Sequence, residues 1–539
     1  MKLLKLLPWV ALLGLMGCSH TKSSVALASM SSPQASSPML KVKKEVVPYE
    51  VAMPSPVVMP VPMMMPSPVI AVEHNTEAYN VINENQFKEV STSPLSTFSI
   101  DVDTASYSNV RRYLTQNNAL PPKGAVRIEE LINYFSYEYK EPQDDDNPFY
   151  INTSVGDTIW NKKSKIIQIG LQTKKPNIAK LPASNLVFLL DVSGSMGQPN
   201  KLPLLKKSLK LLVKQLRDKD RVSIVVYAGN SGLVLDRARG DEEQKIVQAL
   251  EKLNAGGSTA GGQGIKLAYD IAGKAFIKGG NNRVILATDG DFNVGQSSQS
   301  ALVELIEAKR KSGIFLTVLG FGMGNYKDSK MEQLADKGNG NYAYIDNLLE
   351  AKKVLVTQMS GTLYTVAKDV KIQVEFNPEK VHSYRLIGYE NRALANEDFN
   401  NDKKDAGEIG MGHSVTALYE IILQSDEVKS KVDKLKYQTT SSNHSNELAT
   451  VKIRYKKPDG DVSTLISKSI NLNDKEIVLS DSNFAQSVVG FGMILRKSEH
   501  KKDAKLSSLI KLAKDSKGDD REGYRAEFIK MMEQAELLK

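Results

Sequence analysis

The sequence predicts an α/β fold: a doubly wound, mostly parallel sheet inserted in or flanked by an antiparallel β-sandwich, with a helical C-terminal segment. Three observations predict it. Between about residues 185 and 360, apolar runs of strand length alternate with amphipathic stretches of helical period, the pattern of a parallel sheet covered on both faces. At 166–171 and again after residue 365, apolar and polar residues alternate one by one, as half-buried strands do. From Ser482 onward the apolar residues return at helical spacing. The chain has 539 residues, too many for one ordinary core. Its 41% hydrophobic and 25% charged residues lie within the globular range.

Order is expected to begin near Leu95. Residues 96–103 alternate as a strand, which sets Asp101 and Asp103 on one face, and helices follow at 107–114 and 126–135. Pro121-Pro122-Lys123-Gly124 separates those two helices. The α/β region then offers strands at 186–190, 222–227, 283–288, 314–319 and 342–345, with a short edge strand at 233–235. Its helices are expected at 202–216, 242–253, 262–277, 299–311 and 329–337, and a last one runs to about residue 360. Strands at 370–376, 384–389, 415–423, 449–456 and 464–471 belong to the flanking sandwich, and helices at 484–495, 506–513 and 524–538 close the chain.

Ligands of open α/β sheets sit outside the carboxyl ends of the strands, and there the sequence places its unusual polar groups. The first buried strand runs into Asp191-Val192-Ser193-Gly194-Ser195. The loop before a later helix reads Gly256-Gly257-Ser258-Thr259-Ala260-Gly261-Gly262. The strand at 283–288 ends in Thr288-Asp289-Gly290-Asp291. Hydroxyls and carboxylates suit a hard cation. Ser193 and Ser195 offer neutral oxygens, Thr259 a third directly or through water, and Asp191 and Asp289 contribute charge. So few protein oxygens suit Mg²⁺, which keeps several waters, and Mn²⁺ fits as well, whereas a Ca²⁺ cage wants more carboxylates and carbonyls. Asp291 is either an outer acceptor that orients a water or hydroxyl, or a loop cap.

The three pieces together resemble the metal-ion-dependent adhesion site of von Willebrand factor type A (VWA) and integrin I domains, whose pattern is DxSxS, then Thr, then Asp. The resemblance implies a VWA/Rossmann-like fold and a cation that completes its coordination with a Glu or Asp carboxylate from a protein partner.

The first residues speak to location. Lys2 and Lys5 precede an apolar run at 6–16, too short to span a bilayer and typical of a secretory signal. Leu15-Met16-Gly17-Cys18 resembles the lipobox of bacterial lipoproteins, which implies cleavage before Cys18 and lipidation of that cysteine. Ser19 in place of Asp favours, by the same resemblance, the outer membrane. Prolines recur through Met53-Pro54-Ser55-Pro56 and the 60–68 stretch, so residues up to about 90 read as a disordered spacer. The order of lipobox, Pro-rich tether, the segment 96–107 (STFSIDVDTASY), VWA domain and helical tail resembles a family of Gram-negative VWA lipoproteins. That resemblance carries little about role.

The expected domains are a signal peptide at 1–17, a tether at 18–90, an α/β segment at 91–145, flanking strands at 146–180, the VWA domain at 183–362, a sandwich-like domain at 363–480 and a helical segment at 481–539. One cysteine excludes an internal disulfide and cysteine-rich zinc sites, and the six histidines are widely spaced. The net charge of +9 comes from scattered lysines without interleaved aromatics, which argues against nucleic-acid binding. After Gly264 come Ile265 and Lys266, not the Gly-Lys-Ser/Thr of a phosphate loop. The expected function is a membrane-anchored, cation-dependent protein-binding module and not an enzyme. The alternatives are a structural envelope lipoprotein with a vestigial site and a metal-assisted hydrolase.

Overall fold

The computed structural model describes residues 77, 79–100, 103–143, 147–175, 177, 180–229, 231–257, 261–290, 292, 299–323, 327–404, 406–425, 446–458 and 460–539. The expected signal peptide, Cys18 and most of the tether lie outside them. So do Asp101, Thr259 and Asp291.

In chain order the first elements are β1 (Lys88–Glu89), β2 (Leu95–Ser99), α1 (Ala105–Thr115), α2 (Ile128–Asn133), β3 (Phe149–Asp157) and β4 (Lys165–Thr173). The α/β region follows as β5 (Ser184–Asp191), α3 (Leu202–Val213), β6 (Arg221–Tyr227), β7 (Ser231–Arg239), α4 (Glu243–Glu251), α5 (Gly261–Lys274), β8 (Asn281–Thr288), α6 (Gln299–Lys311), β9 (Ile314–Phe321), α7 (Asp328–Lys337) and β10 (Tyr342–Ile345). It closes with α8 (Leu348–Lys352), a π-turn (Lys353–Thr357) and α9 (Met359–Leu363). Then come β11 (Thr365–Phe376), β12 (Val381–Ile387), β13 (Gly407–Gly410), β14 (Ser414–Leu423), β15 (Glu447–Lys456), β16 (Ser463–Asn471), α10 (Leu479–Arg496), α11 (Leu506–Asp515) and α12 (Tyr524–Leu537).

The central sheet has the order β10-β9-β8-β5-β6-β7. Every pairing is parallel except that of β7, which lies antiparallel on the edge beside β6. All eight residues of β5 and of β8 are buried, which is why their centres, 186–190 and 284–287, read as unbroken apolar runs. The edge strand β7 is longer than its expected 233–235. Leu235 and Ala238 are its buried residues and charged side chains fill most of its second half, so only a fragment carries an apolar signal.

Two antiparallel sheets flank this domain, ordered β1-β12-β14-β4-β3 and β13-β11-β15-β16, with β2 paired to β11. Strands β2 to β4 precede the α/β region and β11 to β16 follow it, so the α/β domain is inserted in the sandwich. The sandwich core includes Phe376 stacked on Tyr384 at 4.1 Å between ring centroids. Helices α1 and α2 share one apolar core with α10, α11 and α12, capped by Trp160. The C-terminal helices are therefore half of a helical lobe whose other half comes from the N-terminal segment.

The expected last helix of the α/β domain is broken. At the π-turn Lys353 is buried, donates to the Tyr134 carbonyl, and lies over the rings of Tyr134 (3.7 Å) and Tyr524 (4.5 Å). The wider turn coincides with this docking onto the helical lobe, as such bulges do where a helix meets a special contact. Among the described residues no helix is long and apolar enough to cross a membrane.

Candidate metal centre

Strands β5, β6 and β8 are neighbours in register, so their carboxyl ends stand side by side. Strand β5 ends at Asp191, directly beside Tyr227 at the end of β6. Both oxygens of the buried Asp191 carboxylate are held. Oδ1 accepts the Ser193 backbone N–H at 2.9 Å. Oδ2 accepts the Tyr227 hydroxyl at 3.1 Å and the Thr288 hydroxyl at 3.2 Å. Burial pushes the Asp191 pKa upward, and the hydrogen bonds from Ser193 oppose it. Burial, and then the neighbouring Asp191, push the Tyr227 hydroxyl well above its usual range, which keeps it a donor.

After Asp191 the chain leaves the sheet through a tight turn at Gly194–Gly197. Three backbone bonds fix this loop: Val192 N to Tyr227 O at 3.0 Å, Gly194 N to Gly257 O at 3.0 Å, and Gly256 N to Val192 O at 2.8 Å. They also bring the 256–257 segment, which leads to Thr259, against the Ser193 turn. Gly257 has φ +82°, a conformation that favours glycine. The hydroxyl oxygens of Ser193 and Ser195 are 3.0 Å apart. Two adjacent ligands of an octahedral Mg²⁺, each about 2.1 Å from the ion, are separated by about 3 Å. The serine pair matches that edge, and the donor set is all hard oxygen, so the residues present fit such a cation.

Asp289 follows β8 and is buried. Its Oδ2 accepts from the Lys201 ammonium at 3.0 Å, with 3% and 6% of the two side chains exposed. The Lys201 chain runs across Gly322, where a Cβ would collide with it.

The structure thus gathers Asp191, Ser193, Ser195 and Asp289 at one edge of the sheet. Three groups that share the site were missed from sequence. Thr288 and Tyr227 sit at strand ends, and only strand order makes them neighbours of Asp191. Lys201 precedes α3 and carries no local signal. Asp103, read as half of a carboxylate pair, is buried away from this edge and accepts the Tyr342 backbone N–H at 2.9 Å.

Family models match the chain in three stretches: von Willebrand factor at 73–168, von Willebrand factor type A domain at 185–358, and the C-terminal part of uncharacterized protein YfbK at 361–538. Uncharacterized protein YfbK of Escherichia coli strain K12 is 44% identical over 475 residues, covering 86% of this chain and 81% of that one. Uncharacterized protein sll0103 of Synechocystis is 31% identical over 171 residues, covering 31% of this chain and 39% of that one. Among solved structures, a von Willebrand factor type A protein from Catenulispora acidiphila is 15% identical with a TM-score of 0.37, covering 70% of this chain and 89% of that one.

Proposed function

The chain belongs to the family of the Escherichia coli protein YfbK and carries a von Willebrand factor type A domain, and from that premise we propose that it is an envelope-anchored, cation-dependent protein-binding module. Domains of this type generally mediate protein–protein contact, often through a metal. The observation that carries the reading is the serine hydroxyl pair, 3.0 Å apart beside a fully hydrogen-bonded Asp191. Ser193 and Ser195 offer the cation neutral oxygens, so a bound Mg²⁺ or Mn²⁺ supplies a strongly electrophilic position for a partner's Glu or Asp carboxylate. Asp191 orients the Ser193 turn through its backbone N–H, and Tyr227 and Thr288 hold Asp191 in place. Asp289, and Thr259 by its place in the motif, complete the donor set.

The Leu15-Met16-Gly17-Cys18 pattern supports a lipid anchor at Cys18, with the outer membrane favoured by Ser19. The reading is of a binder rather than an enzyme, because the stretches 191–196, 256–262 and 288–291 carry no histidine to serve the serines as a base.

Calorimetric titration of the purified full chain with MgCl₂ or MnCl₂ tests the site. Ser195→Ala should weaken cation binding by at least about tenfold, and Asp191→Ala should abolish it. Capture of an envelope protein should require Mg²⁺ and disappear with EDTA and in both variants. Capture that survives EDTA and both substitutions would reject the reading.

A further inference from the structure

A cavity lies at the opposite, amino edge of the parallel sheet, where the α/β domain meets the sandwich. Its volume is about 450 Å³, within the roughly 300–1,000 Å³ typical of small-molecule sites. Arg283 on β8 reaches it from the sheet, Asn339 and Asn341 from the loop before β10, and Thr365, Arg392 and Glu408 from the flanking domain. We infer that this cavity binds a small oxyanion, the carboxylate or phosphate group of a small molecule, with Arg283 as its principal ligand.

Arg283 is 1% exposed. Its Nη1 donates to the Thr317 hydroxyl at 2.8 Å, its guanidinium lies 5.5 Å from the Phe315 ring centre, and its Nε has no hydrogen-bond partner among the described residues. Among the described residues no carboxylate bonds to it. Burial pulls its pKa down to about 10, with Glu408 opposing, so it remains charged at neutral pH. The two described carboxylates of the cavity are engaged elsewhere. Glu408 accepts from Asn339 at 2.6 Å and from Thr365 at 3.0 Å, and Asp336 pairs with Arg392 at 2.9 Å. A buried, charged guanidinium that no carboxylate hydrogen-bonds is costly to the fold. Its retention beside a cavity of ligand size is accounted for by an anion that enters from outside. A guanidinium edge offers parallel donors that match carboxylate or phosphate oxygens. The other lining cations have carboxylate partners, Lys337 in Glu307, Arg392 in Glu332 and Asp336, and Lys404 in Asp398, so among the described lining residues Arg283 is the cation with no carboxylate bonded to it.

Thermal unfolding and calorimetry of the full chain with sodium malonate, sodium phosphate and sodium chloride at matched ionic strength test the site. Malonate or phosphate should raise the unfolding midpoint of the wild type beyond the chloride effect, and whichever acts names the headgroup. Arg283→Met should abolish that response and, without ligand, be no less stable than the wild type. Arg283→Lys keeps the charge, loses the fork and should bind at least about tenfold more weakly, and it decides the question if the methionine variant does not fold. No response beyond chloride, or an equal response in wild type and the lysine variant, overturns the inference.

Discussion

Lys201 places a positive charge where a metal would bring another. Its ammonium and the Asp289 carboxylate are both buried and 3.0 Å apart, so neither is matched by water. Removing one partner of such a pair leaves an uncompensated charge, at about 3–5 kcal/mol. A divalent cation beside Asp289 would supply that charge instead. Lys201→Met should therefore lower the stability of the metal-free protein by that order in urea, and millimolar Mn²⁺ should restore most of the loss. The same variant should bind Mn²⁺ several-fold more tightly in calorimetry, because the competing ammonium is gone. A variant destabilised equally with and without metal would show Lys201 to be ordinary packing. Lys201 also marks how far the site was legible. Asp191, Ser193 and Ser195 fall within five consecutive residues, and Asp289 closes a buried strand, so local pattern finds them. The partners Tyr227, Thr288 and Lys201 lie 36, 97 and 88 positions from the carboxylates they bond. Only the lateral order of strands makes them neighbours.

Helix α1 is a clasp between the inserted domain and the helical lobe, and Arg111 joins three elements there. Arg111 donates through Nε to Asp346 at 2.8 Å, through Nη2 to Glu350 at 2.7 Å, and through Nη1 to Glu527 at 2.7 Å. Those carboxylates belong to the exit of β10, to α8 and to α12. The rings of Tyr107 and Tyr134 stack at 3.5 Å beside the guanidinium. Arg111→Met would leave Asp346 and Glu350 buried without their shared cation, at about 3–5 kcal/mol. The expected outcome is a lower urea midpoint, with Arg111→Lys intermediate because it lacks the planar fork. Equal midpoints for wild type and Arg111→Met would show that the lobes are held by apolar packing alone. The alternation of strands and helices was legible because β5 and β8 are buried along their whole length. The union of α1 and α2 with α10 to α12 was not, since it rests on contacts such as Arg111–Glu527 across 416 positions. Strands β1 and β13, of two and four residues, are too short to show a period. The π-turn answers to Lys353 and its ring partners, which helical spacing cannot reveal.

At the scale of the whole molecule, the lobes meet over titratable groups whose burial is not fully compensated, and this gives stability a pH dependence of known sign. Glu129 on α2 packs against Gly388 beyond β12, with one carboxylate oxygen buried and without a partner among the described residues. Burial, with Glu390 adding to it and Arg496 opposing, pushes its pKa up to about 7. His413, before β14, lies against Gly361 of α9, and burial with nearby Lys353 pulls it down to about 4. Between about pH 4.5 and 7 the unfolded chain loses the Glu129 proton while the folded protein keeps it, so this group lowers stability as pH rises. Between about pH 6.5 and 4 the unfolded chain gains a His413 proton that the folded protein refuses, so this group lowers stability as pH falls. The two slopes oppose each other over the shared window, and single substitutions separate them. Glu129→Gln mimics the protonated acid at every pH. Its stability gain over the wild type should be near zero at pH 4.5 and grow toward about 3 kcal/mol above pH 7, from a shift of about 2.5 units at 1.36 kcal/mol each. Urea unfolding at several pH values measures it. A difference that stays flat from pH 4.5 to 7.5 would mean that Glu129 ionises in the folded protein as freely as in the unfolded chain, and that the junction between α2 and the sandwich admits water.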